Sequence, residues 1–116
     1  MVIHGYDYPV PDGRGYLGGW FVLPGPWLEP GFRRKGFGDL AERTRIMEVL
    51  INRYNEMLSS VAGSAPLAHL HYVNLRNTLP NELPKTYRQW WNDELHPTEK
   101  GFGLVAAKLH GVIKTL

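Results

Sequence analysis

Apolar positions along the chain change period in a way that marks its elements. Val2-Ile3-His4-Gly5-Tyr6-Asp7 is a short apolar run closed by Tyr8-Pro9, which predicts a buried strand over residues 2–7. From residue 40 the spacing becomes helical. Ile46, Leu50, Tyr54, Met57, Leu58 and Val61 fall on one stripe, which predicts a core-facing side, with Arg43, Arg45, Glu48, Arg53 and Glu56 mainly elsewhere. Asp39 is a good N-cap, Glu42 stands three residues on in capping-box position, and Gly63 suits a helix end, so the helix is read over 39–62. Leu67, Leu70, Tyr72, Val73 and Leu75 predict a second strand over 67–75. Thr98 then caps a final helix over 98–113, whose apolar face is Phe102, Val105, Ala106, Leu109, Val112 and Ile113. Strand, helix, strand implies a parallel crossover and an α/β fold in one domain.

Two stretches lack a sustained period. Residues 8–38 are punctuated by glycine and proline, and a loop of that length inside a compact domain is uncommon and often functional. It carries Tyr16, Trp20, Phe21, Trp27 and Phe32, which either pack the loop onto the core or line an apolar substrate pocket. Residues 76–97 form the second loop and hold Trp90 and Trp91. Trp20, Trp27, Trp90 and Trp91 are the candidate substrate-binding residues.

Bulk properties narrow the classes. Hydrophobic residues make up 43% and charged residues 21% of 116, which fits a globular chain rather than a disordered one. The net charge of +2 is too weak for a nucleic-acid footprint, and Arg33-Arg34-Lys35 is the one basic run. The absence of cysteine excludes disulfides and thiol-built metal or redox sites. No apolar stretch is long enough for a membrane helix, and Met1 to His4 lacks the basic start and long apolar run of a signal peptide. Nucleic acid and membrane are therefore not expected partners. His69 and His71 stand at i, i+2, a spacing able to chelate a metal, but no third ligand is evident, so no metal site is expected.

The chemistry concentrates in Asn92-Asp93-Glu94-Leu95-His96-Pro97-Thr98. A turn between Asp93 and His96 can fold the carboxylate onto the imidazole. That fixes the ring's tautomer and stabilises the imidazolium when the other nitrogen takes a proton from a nucleophile. Asp93 and His96 thus form an orienter-plus-base unit that needs a hydroxyl placed opposite.

The D-x-x-H-P-T pattern of Asp93 to Thr98, followed by Glu99-Lys100-Gly101-Phe102-Gly103, resembles the last block of the SGNH (GDSL-type) serine hydrolases. Tyr72-Val73-Asn74-Leu75-Arg76 is similar to that family's last strand, and Val2 to Pro9 to the strand before it. The resemblance covers nearly the whole chain. It implies a flavodoxin-like three-layer α/β/α sandwich with parallel strands, and hydrolysis of a small ester or an acetylated carbohydrate without metal or organic cofactor. In the family the nucleophile lies in an N-terminal Gly-Asp-Ser block. Here the serines are Ser59, Ser60 and Ser64, and none follows Gly-Asp. The resemblance therefore implies a C-terminal portion: Asp93 and His96 are present, and the serine and oxyanion blocks are expected upstream of Met1. On this reading the chain alone lacks serine-dependent activity. It is expected to form a homodimer or to associate with the missing N-terminal half, because residues 2–7 would otherwise present a bare strand edge. The competing class is a non-catalytic binding or interaction module built on the aromatic loops.

Overall fold

In the computed structural model, residues 1–18 and 23–116 are described. Strand β1 (Val2–His4) pairs in parallel with β2 (His71–Val73), Ile3 lying opposite Tyr72. The ladder is extended at both ends, by the His71 amide donating to Met1 O at 2.9 Å and the Gly5 amide to Val73 O at 3.0 Å. Three helices follow in chain order: α1 (Glu29–Arg34), α2 (Leu40–Ala62) and α3 (Glu99–Ile113). Helices with a small parallel sheet make an α/β chain. Among the described residues the sheet has two strands, so the outer edge of β1 is unpaired.

Both strands are shorter than the expected 2–7 and 67–75. Beyond Gly5 the chain leaves the ladder at Asp7, whose carboxylate accepts from the amides of Tyr8, Asn77, Thr78 and Leu79 at 2.6–2.9 Å. Before β2, Ala65–Leu67 forms a 3-10 turn with Pro66 in its first positions, where a missing N–H costs nothing. The 8–38 stretch is also not structureless. It contains a 3-10 turn at Tyr16–Gly18 and helix α1, started by Glu29-Pro30. An Arg33–Glu29 ion pair at 2.6 Å spans one turn of α1, and Arg43 of α2 joins the same carboxylate at 3.1 Å.

The two long helices start where the caps place them. Asp39 accepts from the Glu42 amide at 2.9 Å, and Thr98 from the Gly101 amide at 3.1 Å. Their buried faces correct the sequence reading. On α2 the buried positions are Arg43, Thr44, Met47, Ile51, Asn55 and Ala62. Most of the apolar stripe read as core points outward: Leu50 and Met57 are each 53% exposed, and Tyr54 and Val61 are exposed too, while Ile46 and Leu58 are half-buried. A two-stranded sheet is narrow, so it covers one row of the helix and leaves the neighbouring row bare. On α3 likewise only Gly101 is buried, and Phe102 and Ile113 are exposed.

The hydrophobic core lies under the loops at the strands' C-terminal ends. Val10, Leu79, Tyr87 and Trp91 form it, with Tyr6, Leu40, Leu83, Trp90 and Val105 packed around. Asn55 fastens α2 to this end by donating to Tyr6 O at 3.0 Å and accepting from the Tyr72 hydroxyl. The approach is so close that a Cβ on Gly5 would lie 1.7 Å from Asn55 Oδ1.

Candidate active site

The segment from Trp90 to Thr98 closes on itself as a tight hairpin. Trp91 and Pro97 form an antiparallel bridge, the Asn92 amide donates to His96 O at 2.8 Å, and the Thr98 amide to Trp90 O at 2.8 Å. Inside it, Asp93 Oδ1 accepts from the amides of Leu95 and His96, both at 2.8 Å. Aspartate favours this local turn because its short side chain reaches the backbone two and three residues on. The same carboxylate faces the ring of His96, with Nδ1 3.0 Å from Oδ1 and 3.1 Å from Oδ2.

This geometry dictates protonation. Burial alone would raise the Asp93 carboxyl, but the amides of Leu95 and His96 and the His96 ring outweigh it and hold the group below its ordinary value. An ionised carboxylate only accepts, so Nδ1 carries the proton and Nε2 of the neutral ring is left as a lone-pair acceptor. The His96 side chain is 53% exposed, whereas Asp93 is fully buried. A buried anion orienting an open imidazole is the arrangement a general base requires.

The surroundings hold the hairpin in place. The Tyr6 hydroxyl donates to Leu95 O, and burial, aided by the negative charges of Asp93 and Asp7, pushes the phenol up to about 12, so it stays a donor. Arg14 Nη1 donates to Trp91 O at 3.1 Å and Asn92 O at 2.8 Å. Glu94 turns inward and binds the loop before α1. Gly101 lets α3 start directly behind the hairpin: a Cβ there would lie 2.3 Å from Trp90 O. Beside His96 opens an apolar cavity of about 420 Å³, walled by His96 and Pro97, by His4 and Tyr6, and by Phe102 and Val105 of α3.

The four candidate tryptophans part company. Trp27 lies edge-on to His96, with ring centroids 5.4 Å apart and planes at 72°, and is 37% exposed. Trp90 is half-buried, with Lys100 Nζ 4.3 Å above its ring. Trp91 belongs to the core: it is the largest fully buried side chain among the described residues and reaches the cavity only as part of its wall, so its principal work is packing. Trp20 lies outside the described residues. The serines lie away from His96. After Asn55 has contacted Tyr6, α2 runs on toward the strands' N-terminal ends, and Ser59, Ser60 and Ser64 all come later. Ser64 Oγ donates to Val61 O at 2.7 Å. Among the described residues no group of three or more acidic or histidine side chains is placed to hold a metal ion.

Sequence reasoning missed Glu94, Arg14 and Tyr6. Glu94 had a signal, a carboxylate flanked by residues assigned to chemistry, but its partners lie 65 and more residues away. No family model, curated protein or solved structure matches this chain.

Proposed function

We propose that this chain carries the acid–base half of a serine-hydrolase active site acting on small esters or acetylated carbohydrates. The observation that carries the reading is the Asp93–His96 pair: a buried carboxylate on Nδ1, an open Nε2 side, and an apolar cavity against the ring. His96 takes the proton of an attacking hydroxyl as the carbonyl is attacked and returns it to the departing alcohol. Asp93 keeps the ring oriented and offsets the imidazolium charge.

The hydroxyl comes from a further segment. The likeness to SGNH hydrolases supports a strand and helix bearing Gly-Asp-Ser, docked on the free edge of β1 and completing a three-layer sandwich. The unpaired edge and the outward apolar rows of α2 and α3 support that extension. The segment is either covalently upstream or on a second chain, and self-association of the isolated chain competes for the same edge. Sedimentation at low micromolar concentration checks the last point, with a species heavier than 13.2 kDa expected.

Turnover of an aryl acetate tests the function. Expressed together with the coding sequence upstream of Met1, the protein is expected to hydrolyse it, to be blocked by a serine-directed phosphonate, and to lose roughly 10³–10⁴ in rate with His96→Ala. The isolated chain is expected to show no phosphonate-sensitive turnover. Equal rates with and without His96, or robust phosphonate-sensitive turnover by the isolated chain, would overturn the reading.

A further inference from the structure

Glu94 stands between the two residues assigned to chemistry and faces the other way. It is 0% exposed, and no cation pairs with it among the described residues. Among those residues its charge is met by backbone alone. Oε1 accepts from the amides of Gly13 and Glu29 at 2.9 Å, and Oε2 from those of Trp27 and Leu28 at 2.7 Å. A carboxylate offers about four acceptor sites, so this one is saturated. Charge-assisted bonds of this kind are roughly twice as strong as neutral ones, and an amide side chain cannot replace them all because its nitrogen only donates.

All four donors belong to the loop between β1 and α2, and the acceptor sits two residues before His96. Glu94 therefore fixes the distance between that loop and the base. Trp27 supplies one of the four amides and also the ring that meets His96. The indole is seated from its other end as well. Gly25 has φ +95°, and a Cβ there would come 2.8 Å from the Trp27 ring and 2.8 Å from Gly15 Cα.

We infer that Glu94 is a positioning residue whose buried carboxylate docks the 13–29 loop so that Trp27 meets the His96 ring, and that the indole, which is not part of the cavity wall, adds an apolar face beside His96 that receives the ring of a ring-bearing ester. The second clause rests on the reading of His96 as a base; the first does not.

The ring-proton NMR signals of His96 test the first clause on the chain alone, since an indole in contact displaces them. Trp27→Leu is expected to shift His96 Hε1 and Hδ2 toward unperturbed positions. Glu94→Gln is expected to shift them the same way while the amide signals of α2 and α3 stay put. His96 signals unchanged in Glu94→Gln would overturn the positioning role. If Glu94→Gln does not fold, Glu94→Asp, shorter but still charged, takes its place, and failure of both to fold would refute positioning in favour of a general structural role. Gly25→Ala, which crowds the indole without touching Glu94, is expected to reproduce the Trp27→Leu shift.

The second clause is read in the active preparation. Trp27→Leu is expected to raise KM for an aryl acetate roughly three- to tenfold more than it raises KM for methyl acetate. Equal changes for the two esters would refute the ring-binding role. An inactive preparation would refute the hydrolase reading, and the ring-binding role with it, while leaving the NMR result to judge Glu94.

Discussion

The loops at the strands' C-terminal ends and the outer faces of the helices are built on different principles. At the strands' C-terminal ends, Asp7, Asp93 and Glu94 are buried carboxylates: Asp7 and Glu94 each accept from four backbone amides, and Asp93 from two amides and the His96 ring. Along the helices, large apolar side chains such as Leu50, Met57 and Phe102 stand in the open. These carboxylates are thus satisfied within the chain while the apolar surface of the helices is not. Hydrogen bonds of the turn are local or directional and close within the chain. Hydrophobic cover needs area, and two strands with two long helices do not supply enough. The Asp93–His96 turn is expected to be well ordered even where the helices are poorly supported.

Breaking the saturated end should cost most. Asp7→Ala strips the acceptor from the amides of Tyr8, Asn77, Thr78 and Leu79, and a loss of about 3–5 kcal/mol in urea unfolding is expected, enough to approach global unfolding. The helix faces sharpen the contrast at adjacent positions. Ile51→Ala, on the buried row of α2, is expected to cost about 2–4 kcal/mol, whereas Leu50→Ala beside it should stay within roughly 0.5 kcal/mol. Equal costs would mean that the outward row is covered in solution. Thr98→Ala removes the cap of α3 and should cost about 1 kcal/mol, seen as a lower urea midpoint at unchanged slope.

The smallest expected effect is that of acid. The folded Asp93 carboxyl lies below its ordinary value of 3.8. Its stabilisation is therefore complete above about pH 4 and is lost as pH falls through the folded value. Asp93→Asn should flatten the stability–pH curve below pH 4 relative to wild type. An unchanged slope would show that the carboxylate is not held by its amides and ring.

What was legible in the sequence divides along the same line. Helix caps and the Asp93–His96 turn depend on residues three apart, and Asp39, Thr98, Asp93 and His96 could be read directly. The buried row of α2 could not. Leu50, Tyr54 and Met57 make the stronger apolar pattern, but which row meets a sheet depends on how wide that sheet is. Here the row that packs includes Arg43, Thr44 and Asn55, each held by a polar partner that periodicity does not reveal. Strand lengths were overestimated for a related reason, since the Asp7 clamp that ends β1 joins residues 70 and more positions apart. Glu94 was hidden in the same way, and so was the seating of Trp27 on His96.

The account rests on Asp93 keeping the His96 ring with its proton on Nδ1 and Nε2 open. Long-range proton–nitrogen NMR of the neutral imidazole reads that tautomer directly on the chain as it stands. The Nδ1–H form is expected to dominate in the wild type, and the Nε2–H form, the usual preference of a free imidazole, to gain in Asp93→Ala. A wild-type ring mainly in the Nε2–H form, or a tautomer ratio that Asp93→Ala leaves unchanged, would contradict the account.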